Sequence, residues 1–560
     1  MAARVQLLIP VALLLLLGYE VCLAGAEPFE DAFITFRYAE TLATGGGLAF
    51  NPGESACQGF TGFTWLALLA LTNLLGAHTP LAGQLLGLLL GALTVLLVHR
   101  LASRLRLPSP WLPPLLLVLN AHFVHHTTSG LETSLFTFMT LAAHTLLLLP
   151  NPGARGIAAR AVVLTLLALT RPEGIAMAVA MTGGAWLAAG PEERERRRHL
   201  ALVLALVLAA FALFTLWRYL TFGTLLSAPA QVKLFHWHRT TASRLDAGLR
   251  YAGLFVLTNP GFLLALLGLA PLLRRGPLRR PALIIAALSV VGCAVIVAEG
   301  GDAAHFWHFR FFTPLLPPLC LGSSLILSWA SPRLKPRYRT WLLVGVSLLF
   351  VFHVPVVFTG QRNRTFRFTS PTGVAFGVLD DPVKPPQLWR VTDLRSRLLQ
   401  RLRTPRSVEL SVARWLRENA PRAKLATGQM GMIPYHSGLR AYDLVGLTCC
   451  ELAFAGGGPR RLPFLRKVRP DLFLLTGMDY HWLKKDLAAG PYRLSRVFSL
   501  RESLDLPGMG AVDYYLFSLP SVLPCRAGGP RKKIRMGHTP EVRHLPRACV
   551  IKFELEPGLP

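Results

Sequence analysis

Acidic residues are scarce in this chain of 560 residues: 30 Asp and Glu face 59 Lys and Arg, for a formal net charge of +29. Nucleic-acid binding is the bland reading of such an excess. The Arg clusters, however, sit between apolar runs, so nucleic acid is set aside as a partner. Cysteine is also sparse, and the 8 present show no CxxC spacing, so no metal framework follows. Cys449 and Cys450 are adjacent. Cys525 and Cys549 offer a disulfide if the tail is extracytoplasmic, with unpaired thiols the equal alternative. Gly428, Gly431 and Gly438 do not form a dinucleotide fingerprint. No internal repeat of the kind that marks many transporters is evident.

Apolar residues are abundant, at 52% of the chain. They concentrate in residues 1–360, whereas 361–560 reads as a globular segment. A crossing needs ~20 apolar residues, and the first part offers that repeatedly. Arg4, the run Leu7–Leu17 and Ala24-Gly25-Ala26 resemble a signal peptide, but an uncleaved first span over 5–24 is the preferred reading. Residues 62–76 are short for a crossing and read as a helix on the membrane surface. Further spans are expected near 80–98, 111–127, 133–149, 157–170, 174–189, 199–222, 251–273, 281–298, 311–330 and 340–359. This alternation places Arg100, Arg155, Arg194–Arg198, Arg274–Arg280 and Arg333–Arg339 in cytoplasmic loops, as the positive-inside rule asks. The expected fold is an α-helical polytopic membrane protein with about 11 transmembrane helices and a small extracytoplasmic α/β C-terminal domain. The expected divisions are 1–359 (with a first outer loop over 25–79), 360–523, and a basic, mobile tail over 524–560.

The first outer loop opens Glu30-Asp31-Ala32-Phe33-Ile34-Thr35-Phe36-Arg37-Tyr38 and meets no breaker before Gly45-Gly46-Gly47, so it reads as a helix. Asp31, Thr35 and Tyr38 share one face of it, with Glu30 and Arg37 on the adjacent stripe. Two acids at a helix start also suit the helix dipole, which is the innocent explanation. The stretch EDAFITFRYAETLATGGGLAFNPGE, followed by GFTGFTW, resembles the first extracytoplasmic loop of GT-C glycosyltransferases. The branch it resembles is the mycobacterial terminal β-(1→2)-arabinofuranosyltransferase type and its bacterial relatives. The resemblance continues at Ser129–Thr133, Thr170–Gly174, Gly300–Pro314 and GMIPYHSGLRAYDLVGLT.

That resemblance implies an inverting glycosyltransferase of the bacterial inner membrane. Its donor would be a polyprenyl-phosphate sugar, its acceptor an envelope glycan or glycolipid, and its surroundings membrane lipids. The family usually shows Asp-Asp where this chain has Glu30-Asp31, which favours Asp31 as the catalytic base with Glu30 beside it. Arg37 either pairs with Glu30 or holds a donor oxygen; Tyr38 either touches the sugar or packs. Glu132 lines a wet cavity or belongs to a helix cap. Arg171 and Glu173 form a structural ion pair or bind phosphate or acceptor. Asp302, His305, His308 and Arg310 are substrate-binding candidates, Arg310 for its fork geometry, with a snorkelling anchor as its alternative. His122 and His126 have helical metal-ligand spacing, and a divalent cation is left open as the only cofactor. A lipid-linked-sugar flippase and a non-catalytic assembly subunit are the competing functions.

Overall fold

The structure, a computed structural model, describes residues 2–24, 28–150, 153–235, 240–274, 276–302, 309–335, 338–341, 344–345, 356–359, 365–369, 375–379, 408–454, 461–476, 483, 485, 487, 490–500, 514–523, 531–535, 542–546 and 550–553. The chain divides into two units. The first holds residues 1–28, 61–225 and 238–394; the second holds 29–60, 226–237 and 395–560. The first outer loop is thus grouped with the C-terminal region, across the boundary expected near residue 359.

Unit 1 is helical. It contains α1 (Ala2–Ala24), then, after α2 of unit 2 (Ala32–Ala43), α3 (Phe63–Leu74), α4 (Thr79–Arg104), α5 (Leu112–Val118), α6 (Ala121–Thr127), α7 (Thr133–Leu148), α8 (Ala154–Thr170), α9 (Gly174–Ala188) and α10 (Arg194–Phe222). After α11 of unit 2 (Ala228–Phe235) come α12 (Thr241–Thr258), α13 (Pro260–Gly268), α14 (Arg279–Glu299) and α15 (Leu316–Ala330). Among the described residues, four helical stretches are long and apolar enough to cross a membrane: Thr79–Arg104, Arg194–Phe222, Arg279–Glu299 and Thr313–Ala330. A fifth is added if the bent pair of α12 and α13 counts as one.

Among the described residues the eleven expected spans are thus brought out in part, and at three of them the departure is local. The expected span 111–127 breaks at Asn120, whose side chain accepts from the N–H groups of His122 (3.0 Å) and Phe123 (3.1 Å) and starts a new helix. The expected span 251–273 breaks at Asn259-Pro260, because proline has no N–H to continue the ladder. Of the expected span 340–359, residues 356–359 are strand β1 (Val356–Thr359), which pairs with β2 (Thr365–Thr369), itself paired with β3 (Ala375–Leu379).

Unit 2 carries a six-stranded mixed sheet flanked by helices. Its elements are α16 (Val408–Asn419), β4 (Lys424–Thr427), α17 (Met432–Ser437), β5 (Arg440–Asp443), α18 (Cys450–Phe454), α19 (Arg461–Val468), β6 (Leu472–Leu475), β7 (Arg493–Leu500) and β8 (Tyr514–Ser518). The strand order is β11-β7-β8-β6-β4-β5, with β11 (Val550–Phe553) parallel to β7. A separate hairpin pairs β9 (Arg531–Arg535) with β10 (Val542–Pro546). The segment 524–560, expected as a mobile tail, thus contributes three strands. Asp443-Leu444-Val445-Gly446-Leu447 reads in the sequence as a strand entry, but Asp443 is the end of β5. There the Asp443 carboxylate accepts from the N–H groups of Val445 and Thr448, both at 2.7 Å, and folds a turn.

A disulfide joins Cys57, after the first-loop helix, to Cys450 at the start of α18, 393 residues away, and the site packs against Ala228 and Val232 of α11. The pairing considered for Cys525 and Cys549 falls outside the described residues. Replacing Cys57 and Cys450 by Ser is expected to lower the stability of unit 2 by about 2–5 kcal/mol. Comparing thermal unfolding of the double variant with wild type, alongside non-reducing peptide mapping, checks this; recovery of unlinked Cys57 peptide from the native protein refutes the pairing.

Candidate active site

Helix α2 places the acidic pair. Its inward face is Ala32, Phe33, Ile34, Phe36, Tyr38 and Ala39, all buried. It ends at Thr44, where Gly45 (φ 81°) and Gly47 (φ 76°) take the left-handed backbone that side chains resist. Asp31 is the N-cap residue, yet its side chain makes no capping hydrogen bond.

Glu30 is fixed differently. Its Oε1 accepts from the Gly431 N–H at 2.6 Å. Burial, reinforced by the adjacent Asp31 and more weakly by Glu409, pushes its acid up to about 8, against the opposing pull of the Gly431 and Met432 N–H groups. A carboxyl raised in this way stabilises the folded state fully below its unfolded value of 4.5, and that stability is lost as the pH rises through about 8. Hydrogen exchange of the 29–44 and 430–437 backbone is accordingly expected to quicken between pH 5 and 8 beyond the intrinsic rate. The Glu30→Gln variant flattens that excess; an unchanged slope in the variant contradicts the assignment.

Gly431 permits this contact. A Cβ there would lie 1.9 Å from the Glu30 carbonyl oxygen and 2.6 Å from its Oε1. Gly431→Ala is expected to expel the Glu30 carboxyl from its N–H cradle and to destabilise unit 2 by about 1–3 kcal/mol, measured by denaturant unfolding. A variant as stable as wild type counts against the close approach.

Arg37 does not pair with Glu30. Its Nε donates to Phe50 O (3.0 Å), Nη1 to Pro434 O (2.7 Å), and Nη2 to Leu439 O (2.8 Å) and Asn51 Oδ1 (3.1 Å). The guanidinium also lies 4.6 Å from the centre of the Phe50 ring. It ties α2 to α17, with its donors on carbonyl and amide oxygens. Tyr38 is also structural: it is wholly buried, packs on Phe50 and Phe60, and its hydroxyl accepts from the Gly59 N–H at 3.2 Å. Asn51 completes the anchoring by accepting from Ala441 N–H (3.1 Å) and donating to Ala441 O (2.8 Å), as a further strand would beside the edge strand β5. Sequence reading missed Pro434, Leu439 and Ala441 because each lies about 400 residues from its partner in the first loop; the signal was the second resemblance segment, GMIPYHSGLRAYD.

In unit 1, Arg171 stands at the end of α8 with extended backbone (φ −151°, ψ 152°), the conformation a following proline imposes. Its Nε meets Glu173 Oε1 and its Nη1 meets Glu132 Oε1, each at 2.5 Å, in a nearly fully buried cluster. Glu132 is the N-cap residue of α7 without a capping bond from its side chain, so the ion pair takes its carboxylate. Gly174 lets α9 fold back so closely that a Cβ would stand 2.2 Å from Leu167 O.

A second buried pair joins Asp302 to Arg310 Nε at 3.0 Å. Both guanidinium groups lie against the Phe311 ring, Arg171 at 4.8 Å and Arg310 at 5.4 Å from its centre. Phe311 in turn packs against Tyr251, which sequence reading passed over. His305 and His308 lie outside the described residues. His122 sits edge-on to Phe309. Among the described residues no group of three or more His, Cys, Asp and Glu converges as metal ligands.

A family model for a domain of unknown function (DUF8728) matches residues 397–517. No curated protein matches the sequence. Among solved structures, ArnT from Cupriavidus metallidurans bound to undecaprenyl phosphate is similar over 92% of this chain and 98% of its own, at 13% identity and a TM-score of 0.53. The archaeal oligosaccharyltransferase AglB from Archaeoglobus fulgidus, in complex with an inhibitory peptide and a dolichol-phosphate, is similar over 90% of this chain and 75% of its own, at 11% identity and a TM-score of 0.50. These neighbours are GT-C glycosyltransferases. The chain has the GT-C fold. At such identities the likeness concerns architecture, and within the GT-C fold chemistry has to be argued from the site.

Proposed function

We propose that the protein is an inverting glycosyltransferase that moves a sugar from a polyprenyl-phosphate carrier to an envelope glycan or glycolipid on the outer face of the bacterial inner membrane. The observation that carries this reading is the division of labour in the acidic pair at the head of α2. Glu30 is held by the Gly431 N–H and burial raises its acid to about 8, which favours its neighbour Asp31 as the base. The GT-C fold supports the reaction class, and the undecaprenyl phosphate and dolichol-phosphate bound to the two neighbours support the carrier class. The disulfide in unit 2 supports its placement on the oxidising side of the membrane.

In this reading Asp31 takes the proton of the acceptor hydroxyl. The hydroxyl oxygen attacks the anomeric carbon, and the bond from that carbon to the phosphate oxygen breaks. The electron pair leaves with polyprenyl phosphate, and the anomeric configuration inverts. Phosphate is a competent leaving group, so no separate acid is required. Arg310, positioned by Asp302, is assigned to the carrier phosphate, where an arginine fork suits the oxygens. Arg171, gripped by two carboxylates, is assigned a positioning role beside Phe311.

The sugar suggested by the first-loop motif is arabinofuranose. Purified protein offered a panel of polyprenyl-phosphate pentoses and hexoses, with the product's anomeric configuration read by NMR, tests the proposal. Transfer with inversion from one donor class supports it, and retention of configuration or absence of transfer from every donor refutes it.

A further inference from the structure

The opposite kind of charge cluster lies in unit 1 where α7 and α9 end. Arg160 of α8 donates Nε to Leu146 O (3.0 Å) and Nη2 to Leu149 O (2.9 Å) and Pro150 O (3.1 Å). Arg196 of α10 donates Nη2 to Leu147 O at 2.7 Å. Arg279 of α14 serves the end of α9 in the same way, donating to Ala188 O (2.9 Å) and Leu187 O (3.0 Å). Helix C-termini leave carbonyls without intrahelical partners and carry partial negative charge, so cationic caps suit them.

Capping does not account for the whole cluster. Among the described residues, Nη1 of Arg160, Nε of Arg196 and Nε of Arg280 find no hydrogen-bond partner. Arg160 and Arg196 are each only 2% exposed. The charges of Arg280 and Arg160 both bear on Arg196. The carboxylate at hand is Glu193: both its oxygens accept from Arg280 Nη2 at 2.8 Å, and one lies 3.9 Å from Arg196 Nε. Three cations against that one anion leave a buried positive excess, which is costly without a further anion. Glu193 and Arg280 are the solvent-reachable members, at 34% and 29% side-chain exposure. They form the doorway, and Glu193 stands where an incoming anion would bind.

We propose that this cluster is a site for the phosphate of an anionic lipid headgroup from the adjoining leaflet, which replaces Glu193 between Arg280 and Arg196. Basic pockets between the ends of membrane helices bind such headgroups, and the arginine fork matches phosphate oxygens. The flanking ends of the apolar helices α10 and α14 supply the acyl-chain surface that a free anion would not use.

The test uses the full chain in nanodiscs of phosphatidylcholine with and without 20 mole per cent phosphatidylglycerol, on the order expected for an anionic leaflet. Lipid retained on the protein is read by native mass spectrometry. The expected result is selective retention of phosphatidylglycerol, weakened about tenfold in Arg280→Ala and strengthened in Glu193→Gln. Because Arg280 is partly exposed, its variant is checked for wild-type unfolding temperature in phosphatidylcholine, and Glu193→Gln gives an independent change of opposite sign. Equal retention of the two lipids by wild type overturns the proposal, as does phosphatidylglycerol retention unchanged in both variants. Stabilisation by millimolar inorganic phosphate equal to that by phosphatidylglycerol overturns the lipid assignment in favour of a free anion.

Discussion

Asp31→Asn is expected to lower sugar transfer by about 10²–10⁴-fold, the usual contribution of a general base. The change keeps the size and shape of the side chain. Insertion, expression and the unfolding temperature should therefore stay near wild type. Glu30→Gln supplies the contrast. Burial raises the Glu30 acid to about 8, and a glutamine oxygen can still accept from the Gly431 N–H. Most of the activity should survive in that variant. Initial rates at saturating donor for the two variants decide the roles. Near-normal turnover in Asp31→Asn, or equal loss in both, removes Asp31 from the chemistry.

The second large effect concerns stability. Arg171→Ala leaves the carboxylates of Glu132 and Glu173 buried without their shared cation. Removing one member of a buried ionic cluster costs about 3–5 kcal/mol, because the remaining charge is uncompensated. A pronounced fall in unfolding temperature is expected, with loss of the stacking on Phe311. Arg171→Lys should rescue little, since one ammonium cannot span both carboxylates and face the ring as a planar fork does. Combining Arg171→Leu with Glu132→Gln and Glu173→Gln should restore much of the stability by removing the charges together. Thermal unfolding in a fixed detergent checks the series; an Arg171→Ala variant as stable as wild type contradicts the ion-pair cluster.

Much of the local structure was legible in the sequence, and the long-range structure was not. The helix after Glu30-Asp31 follows from an uninterrupted run closed by three glycines, and it forms as Ala32–Ala43. PRSVELSVARWLRENA reads as an amphipathic helix and forms as Val408–Asn419, and Lys424-Leu425-Ala426-Thr427 reads as a short strand and forms as Lys424–Thr427. Spans were harder. A run such as 111–127 is apolar throughout, so hydropathy averages over the single Asn120 that ends one helix and starts another. The fate of Arg37 was not legible, because its acceptors Pro434 and Leu439 come together with it only through the fold. The same holds for the Cys57–Cys450 pair, which no short spacing announces. Arg171 was the intermediate case: proline-imposed geometry is local and readable, whereas the approach of Glu132 depends on how α7 and α8 pack.

The central claim is that a glycosidic bond forms as the bond from sugar to carrier phosphate breaks. The measurement that meets it most directly uses proteoliposomes loaded with a polyprenyl-phosphate sugar labelled in the sugar and in the phosphate. The account predicts equal amounts of acceptor-bound sugar and free polyprenyl phosphate, both abolished by Asp31→Asn. Movement of the doubly labelled lipid between leaflets with its bond intact, at a rate indifferent to Asp31, would contradict it.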